Sequence, residues 1–283
     1  MIGIFFKLTK ALSAACIAAS GVAGFCLGGG RNPLQSLWLF SGLLLLAMGA
    51  GALNQVQEIE LDRKMNRTKH RPLPMGEVSP RCACAISLAL LFAGLGLLLV
   101  FQGNLVGFLG ILGAGLYNGV YTSIKTKVSW AIFPGALAGC VPPLMGFFAG
   151  GGPVFDRMVL LLFGVSYFWQ IAHFCFLILA YKNEYEVSED KNLYKEIGIR
   201  GVGILSIACM GACLVLVFGN CLLPPSAHPG FPVVLAWSGI CLVFSLLLAS
   251  VKKTRDAGFF QGAFLVWNAF LGGGILSIVQ GCF

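Results

Sequence analysis

Residues Asn54–Pro74 read NQVQEIELDRKMNRTKHRPLP, and this run holds most of the polar chemistry of an otherwise apolar chain. Acidic side chains come first and basic ones follow, directly after a long apolar segment. Polar groups at the end of an apolar segment are costly in a membrane and usually functional. The run therefore predicts a membrane protein with a functional site at the membrane edge. The acids are Glu58, Glu60 and Asp62, and the bases are Arg63, Lys64, Arg67, Lys69, His70 and Arg71.

The composition around this run is that of a polytopic membrane protein. Of the 283 residues 58% are hydrophobic and 11% are charged, and the mean hydropathy is +0.87. Soluble domains carry about a quarter charged residues. Apolar runs of roughly 20 residues, long enough to cross a bilayer, recur throughout. The sequence thus predicts an all-α bundle of nine transmembrane helices in one domain covering residues 1–283. The predicted spans are 8–29, 35–54, 82–101, 104–123, 128–150, 157–180, 201–222, 231–251 and 259–281.

The basic residues predict the orientation. With nine spans, 17 of the 19 Lys and Arg residues fall on one side of the membrane. Because positive loops stay inside, the N-terminus and the polar loops are expected on the cytoplasmic face and the C-terminus outside. We expect an integral, multi-pass protein of a bacterial or archaeal cell membrane. The same bias accounts for the net charge of +8, so no nucleic-acid partner is predicted.

Three polar residues of the opening run share one spacing. Asn54, Glu58 and Asp62 stand at i, i+4 and i+8, so they face the same way if the helix continues past the membrane edge. Carboxylates on one face repel each other unless a cation lies between them. Mg²⁺ suits a few carboxylates together with a substrate phosphate. Glu60 points elsewhere and is assigned a supporting role.

A second acidic loop follows the sixth span. It reads YKNEYEVSED, and Glu184, Glu186 and Asp190 are its candidate metal ligands. Two acidic helix ends that face each other would hold Mg²⁺ bridging a diphosphate, while Arg67, Lys69 and Arg71 take the remaining phosphate charge. The alternative is that both loops are solvated and carry only local ion pairs.

The motifs resemble a known family. NQVQEIELDRKMNRTKHRPLPMGEVSP is similar to the first aspartate-rich motif of the UbiA superfamily of intramembrane prenyltransferases. Arg67-Thr68 and Arg71-Pro72-Leu73 are typical of its haem O synthase branch. Three later stretches resemble that branch in order and spacing: YNGVYTSIKTK (117–127), GALAGCVPPLMGFFAG (135–150) and FWQIAHF (168–174).

The resemblance implies a Mg²⁺-dependent transfer of a farnesyl group from its diphosphate to a vinyl group of haem b. It also implies that membrane lipid surrounds both apolar substrates. It implies that Asn54, Glu58 and Asp62 serve Mg²⁺–diphosphate binding with support from Glu60, and that basic side chains contact the diphosphate. Glu184 and Tyr185 stand where the branch has Asp-Tyr. The basic residues are Arg67, Arg71 and Lys125.

The chain also departs from the branch. Glutamate replaces aspartate at 58, 60 and 184, and the stretch after Tyr185 has changed to EVSEDKNLYKEIG. These changes leave open a UbiA-type enzyme with an aromatic, quinone-precursor or lipid acceptor. They also leave open an inactive homologue. A cation-coupled transporter is the alternative outside this family, but it predicts acids near mid-membrane rather than at helix ends.

Aromatic residues and a histidine complete the predicted site. Trp169 and His173 share a helix face at i and i+4, and His173 is a candidate to ligate or orient haem or to transfer a proton. Tyr121 and Trp169, with Tyr117, are candidates to stabilise an allylic cation. The eleven cysteines lie in or beside spans without a zinc-ligand spacing, so no cysteine metal site is predicted.

Overall fold

The protein, seen in a computed structural model that describes residues 2–221, is helical throughout this range and has no strand there. Helices satisfy their own backbone hydrogen bonds, as a chain that crosses a bilayer requires. A π-helical segment, Gly115–Tyr121, separates α6 from α7. The helices are α1 (Ile2–Leu8), α2 (Ala11–Leu27), α3 (Pro33–Gln57), α4 (Ile59–Lys64), α5 (Pro80–Gln102), α6 (Asn104–Ala114), α7 (Thr122–Ile124), α8 (Ile132–Ala149), α9 (Arg157–Ala180), α10 (Lys182–Val187) and α11 (Leu193–Cys221).

Capping residues start three of the long helices. The Asn32 side chain accepts hydrogen bonds from two backbone amides of α3, and Pro33 follows at the first helical position. Ser79 caps α5 in the same way, again ahead of a proline. Asp156 accepts from the Met158 amide at the start of α9. Such caps satisfy amides that would otherwise lack partners at the membrane edge.

The chain divides into two compact units. The first contains the residues up to Ile124 together with Val141–Pro153. In it α3 packs against α2 and α5. The second half of α8 lies so close to α2 that a Cβ atom on Gly24 would stand 2.0 Å from the Pro143 carbonyl oxygen. Glycine at this position therefore sets the distance between the two helices, as small residues do in membrane bundles.

The second unit contains Lys125–Cys140 and the described residues from Val154 to Cys221. Helix α9 packs against α11 around a buried core. Gly198 interrupts α11 near its start with φ 64° and ψ 178°. The first turn of α11 lies before this break and is polar, and the apolar stretch predicted as a span comes after it. Helix α11 therefore begins at Leu193, before the predicted span. The core residues include Ala136, Ile171, Cys175, Leu179 and Val202.

Six of the predicted spans are confirmed within the described residues. Within residues 2–221 six helices are long and apolar enough to cross a membrane, or seven if α1 and α2, bent by 58°, form one span. The six agree with the second to seventh predicted spans, and the first predicted span, 8–29, falls on the bent pair of α1 and α2. Spans 231–251 and 259–281 lie outside the described residues. The all-α, multi-span class is therefore confirmed, while the number nine and the single domain stay predictions.

Candidate functional site

The acids of the opening run lie in the first unit, at the end of α3 and in α4. The helix is interrupted at Glu58, but backbone bonds from Glu58 N to Asn54 O (3.0 Å) and from Asp62 N to Glu58 O (2.8 Å) preserve the predicted i, i+4, i+8 register. All three side chains are buried. The Asn54 amide donates from Nδ2 to Glu58 Oε1, so these two residues form one buried polar pair.

Asp62 and Arg71 are joined by a charge-assisted contact. Nη1 of Arg71 lies 2.9 Å from Oδ1 and 2.7 Å from Oδ2 of Asp62. The Asp62 side chain is 3% exposed and that of Arg71 is 21% exposed. A carboxylate so buried needs a counter-charge. The structure thus brings one predicted metal ligand and one predicted diphosphate ligand together.

Hydrogen bonds and apolar packing fix both ends of the loop that carries Arg71. Thr68 is buried and its hydroxyl donates to the Asp62 backbone oxygen at 3.1 Å, while Arg71 N donates to Thr68 O at 2.9 Å. Leu73 is buried in a cluster with Leu8 and Ala52. The Arg-Thr and Arg-Pro-Leu motifs therefore serve to hold the guanidinium against α4.

Three other predicted residues of this run lie at the surface. Glu60 is 80% exposed and pairs with Arg63 at 2.6 Å, so the structure does not bring it to the buried acids. Lys69 is exposed and donates to Asn66 Oδ1 at 2.8 Å. Arg67 is exposed as well. The supporting role of Glu60 and the phosphate-binding roles of Arg67 and Lys69 remain predictions.

The π-helical segment faces this site from the same unit. Asn118 donates to Gln57 Oε1 (3.1 Å) and to Ala50 O (3.0 Å), which fixes the segment to α3. The rings of Tyr117 and Tyr121 stack with centroids 6.1 Å apart. Tyr117 is close enough to interact electrostatically with Glu58, Asp62 and Arg71. Single turns of π-helix frequently occur at functional sites.

Two residues that the sequence did not single out also contact Asn54. Thr122 Oγ1 accepts from Asn54 Nδ2 at 3.1 Å and donates to Tyr117 O at 2.8 Å. Lys10 Nζ donates to Asn54 Oδ1 at 2.6 Å. The signal for Thr122 was its position beside Tyr121 in a matched motif. No pattern in the sequence pointed to Lys10, which lies 44 residues from its partner.

The second unit holds the other predicted polar residues. Lys125 is half-buried at its start, and Lys191 N donates to Thr126 O at 3.1 Å, which joins the Lys125 loop to the second acidic loop. Glu184 and Tyr185 lie half-buried in α10, while Glu186 is exposed. Asp190 Oδ2 accepts from the Ser188 hydroxyl at 3.3 Å in a local turn.

Trp169 and His173 lie together on α9, as predicted. Their rings are 5.0 Å apart between centroids and tilted by 31°. Trp169 and Tyr185 pack against the same buried core of this unit. The structure thus supports the shared face of Trp169 and His173, and their roles toward a substrate stay predictions.

The fit to Mg²⁺ depends on the donor atoms. Within the described residues of either unit, no three acidic, histidine or cysteine side chains form a group that could hold a metal alone. Mg²⁺ is commonly bound through only one or two carboxylates plus substrate phosphates. Glu58 and Asp62 are two buried carboxylates in one unit, so the donor set fits Mg²⁺ bound together with a phosphate group. Participation of Glu184, Glu186 and Asp190 stays a prediction.

Comparison with known proteins identifies the family of the chain. Residues 13–269 match the UbiA prenyltransferase family. The protoheme IX farnesyltransferase of Geobacter sulfurreducens is 41% identical over 140 residues, covering 49% of this chain and 52% of that protein. The protoheme IX farnesyltransferase of Bdellovibrio bacteriovorus is 32% identical over 223 residues, covering 76% of each. The Geobacter alignment thus spans about half of that relative's length.

A solved structure shows the same fold. The UbiA homologue from Archaeoglobus fulgidus bound to GPP and Mg²⁺ superimposes with a TM-score of 0.75 at 14% identity, over 98% of this chain and 99% of that one. Fold and family match thus agree over nearly the whole sequence. The chain belongs to the UbiA prenyltransferase family.

Proposed function

We propose that the protein transfers a farnesyl group from farnesyl diphosphate to a vinyl group of haem b. Family membership supports prenyl transfer, and the relatives named protoheme IX farnesyltransferase support this donor and acceptor. The observation that carries the proposal is the buried group of Asn54, Glu58, Asp62 and Arg71 at the end of α3, because it combines carboxylates with a guanidinium. A diphosphate that binds with a divalent cation needs both.

Glu58 and Asp62 are the residues of the first unit that would hold Mg²⁺, with Glu184, Glu186 and Asp190 as proposed ligands from the second loop. The bound metal would offset negative charge on the diphosphate. Asn54 acts by donating to Glu58, which orients that carboxylate. Glu60 lies outside this group and is proposed only as a nearby negative charge.

The basic residues would stabilise the leaving group. The bond between the allylic carbon and the diphosphate oxygen breaks, and both electrons stay on the oxygen. Arg71, with Arg67, Lys69 and Lys125, would hold the resulting charge through donated hydrogen bonds. The guanidinium of Arg71 would then bind a phosphate oxygen in addition to, or instead of, Asp62.

The reaction with the acceptor takes place at the apolar end of the site, away from the diphosphate. The vinyl π electrons attack the allylic cation and form a carbon–carbon bond, and water adds to the new cation beside the porphyrin with loss of a proton. Tyr121 and Trp169 would stabilise the allylic cation through their ring faces. His173 would orient haem or accept the proton, and Trp169 would position the imidazole ring of His173. Tyr185 would contact substrate beside Glu184.

A second candidate function concerns the acceptor alone. The turn formed by Ser188, Asp190 and Asn192 occupies the stretch in which this chain departs from haem O synthases. This change favours a UbiA-type enzyme with an aromatic, quinone-precursor or lipid acceptor as the alternative. In either case we propose a cytoplasmic site in a cell membrane, with the N-terminus inside and the C-terminus outside.

A product assay tests the proposal. Purified protein in nanodiscs receives farnesyl diphosphate, Mg²⁺ and haem b, and the porphyrin is analysed by mass spectrometry. We expect a Mg²⁺-dependent hydroxyethylfarnesyl adduct, reduced at least about a hundredfold in Glu58→Gln, because catalytic contacts are worth several kcal/mol. Glu77→Gln, the same change at an exposed position of the same loop, is the matched control.

The outcomes separate the candidates. Diphosphate hydrolysis that requires Mg²⁺ and Glu58, without a haem adduct, would favour the other acceptors. Absence of both hydrolysis and diphosphate binding would contradict the prenyltransferase and favour the transporter or the inactive homologue.

A further inference from the structure

Lys10 occupies a constrained corner between α1 and α2. Its backbone has φ 51° and ψ 43°, and within residues 2–221 it alone among non-glycine residues has a positive φ. The left-handed conformation is unfavourable for a residue that carries a side chain. Such strain persists only where the surroundings fix it, often at functional sites.

Two side chains fix this corner. Gln55 is fully buried, and its Nε2 donates to Lys7 O and to Leu8 O, both at 2.8 Å. Thr9 is also fully buried, and its hydroxyl donates to Phe5 O at 2.8 Å. A Cβ atom on Gly51 would stand 3.1 Å from Thr9 O, so glycine lets α3 lie against the corner. The Lys10 backbone is therefore held against α3.

The Lys10 ammonium determines how the Asn54 amide is oriented. Nζ lies 2.6 Å from Asn54 Oδ1. An ammonium group only donates, so it selects the amide oxygen and turns the NH₂ group away. Nδ2 then donates to Glu58 Oε1 and, at 3.1 Å, to Thr122 Oγ1. Asn54 is 2% exposed; its contacts with Glu58 and Thr122 are buried, and its contact with Lys10 is partly buried.

We propose that Lys10 is a positioning residue of the site, which acts through Asn54 to hold the carboxylate of Glu58 in its binding orientation. This inference rests on the proposed function for the role of Glu58. Without the cation, the Asn54 amide can turn over and present its oxygen to the carboxylate, which removes a donor and adds repulsion. The strained corner positions the Lys10 ammonium, and the Asn54 amide couples it to the Glu58 carboxylate.

Three variants test this role. Lys10→Asn removes the ammonium but keeps a residue type that tolerates the left-handed backbone, so folding is preserved. Lys10→Arg keeps a cationic donor. Lys7→Met removes a positive charge from the same corner, at an exposed side chain whose backbone alone takes part in the contacts described, and is the matched control.

The measurements are kcat and KM for adduct formation, the apparent melting temperature, and the EPR spectrum of Mn²⁺ with inorganic pyrophosphate. For Lys10→Asn we expect kcat to fall at least about tenfold, with KM for haem and the melting temperature near the wild-type values. Lys10→Arg should recover part of the rate, and Lys7→Met should resemble the wild type. The Mn²⁺ spectrum should change in Lys10→Asn only.

A double-mutant cycle separates positioning from a merely structural role. If Lys10 acts through Asn54, Lys10→Asn should change the Mn²⁺ EPR spectrum in the wild-type background and leave it unchanged in an Asn54→Ala background, because coupled residues are not additive. Additive effects, a melting temperature that falls together with kcat, or an unchanged rate and spectrum would each overturn the inference. If the wild type forms no haem adduct, the proposed acceptor fails, and the Mn²⁺ cycle still decides the role of Lys10.

Discussion

At the scale of single residues, the contact between Asp62 and Arg71 links two functions that the sequence had assigned separately. One side chain was expected to bind metal and the other diphosphate, yet here they bind each other. The guanidinium balances a carboxylate whose side chain is 3% exposed. On the proposed function, binding of metal and diphosphate would replace this contact by contacts to the ligands.

Breaking this pair should cost stability as well as activity. Removing one partner of a buried ion pair leaves an uncompensated charge, at a cost of about 3–5 kcal/mol when burial is complete. We expect Arg71→Gln to lower the apparent melting temperature in detergent, and Asp62→Asn combined with Arg71→Gln to restore part of it. Arg63→Gln, which breaks the exposed pair with Glu60, should change stability by less than about 1 kcal/mol.

The double variant makes this prediction decisive. If Arg71→Gln is no less stable than Arg63→Gln, the Asp62 carboxylate does not depend on its partner. If the double variant is less stable than Arg71→Gln alone, lost packing rather than unbalanced charge explains the result.

At the scale of helices, the close contact between α2 and α8 depends on backbone shape. A Cβ on Gly146 would stand 1.7 Å from Gly21 O, and one on Gly24 would stand 2.0 Å from Pro143 O. Carbonyl groups of a helix cannot move aside as a flexible side chain can. The two helices must therefore separate if either glycine gains a methyl group.

We expect Gly24→Ala to destabilise the protein by about 1–3 kcal/mol, the usual cost of overpacking. Thermal unfolding in detergent measures this. Gly96→Ala is the control, because Gly96 lies within α5 with open space around its Cβ position and alanine there favours the helix by about 1 kcal/mol. Equal stability of the two variants would contradict the contact.

Much of this could be predicted from the sequence, and the limits have physical causes. The spans were predictable because hydropathy and length report directly on lipid contact, and Asn54, Glu58 and Asp62 share a face because a helical period sets their register. The π-helical segment was not predicted, since an extra residue in one turn leaves no periodic trace in so apolar a run. Lys10 was missed because its contact depends on how α1 and α2 bend against α3.

At the scale of the whole molecule, the basic loops predict how the chain lies across the bilayer. Cys82 is exposed at the start of α5, beside the loop with six basic residues, and Arg31 lies in the loop between the first two spans. Positive loops remain in the cytoplasm. The two positions should therefore lie on opposite faces of the membrane.

Labelling with a membrane-impermeant maleimide tests this orientation. A variant that keeps only Cys82 should react in inside-out vesicles and not in intact spheroplasts. A cysteine-free variant with Arg31→Cys should show the reverse. Reaction of Cys82 from outside would invert the predicted topology and place the acidic loops on the other face.

The corner between α1 and α2 has a practical consequence for production of the protein. If the chain were shortened so that it began at Ala11, it would lose Lys10 and both carbonyl groups that accept from Gln55, while the six long apolar helices from α3 onward would be unchanged. Such a shortened protein should still insert and purify as a membrane protein, and an expression screen would score it as a success. A tag that must later be cleaved is therefore better fused elsewhere, so that trimming never reaches the residues that orient Asn54.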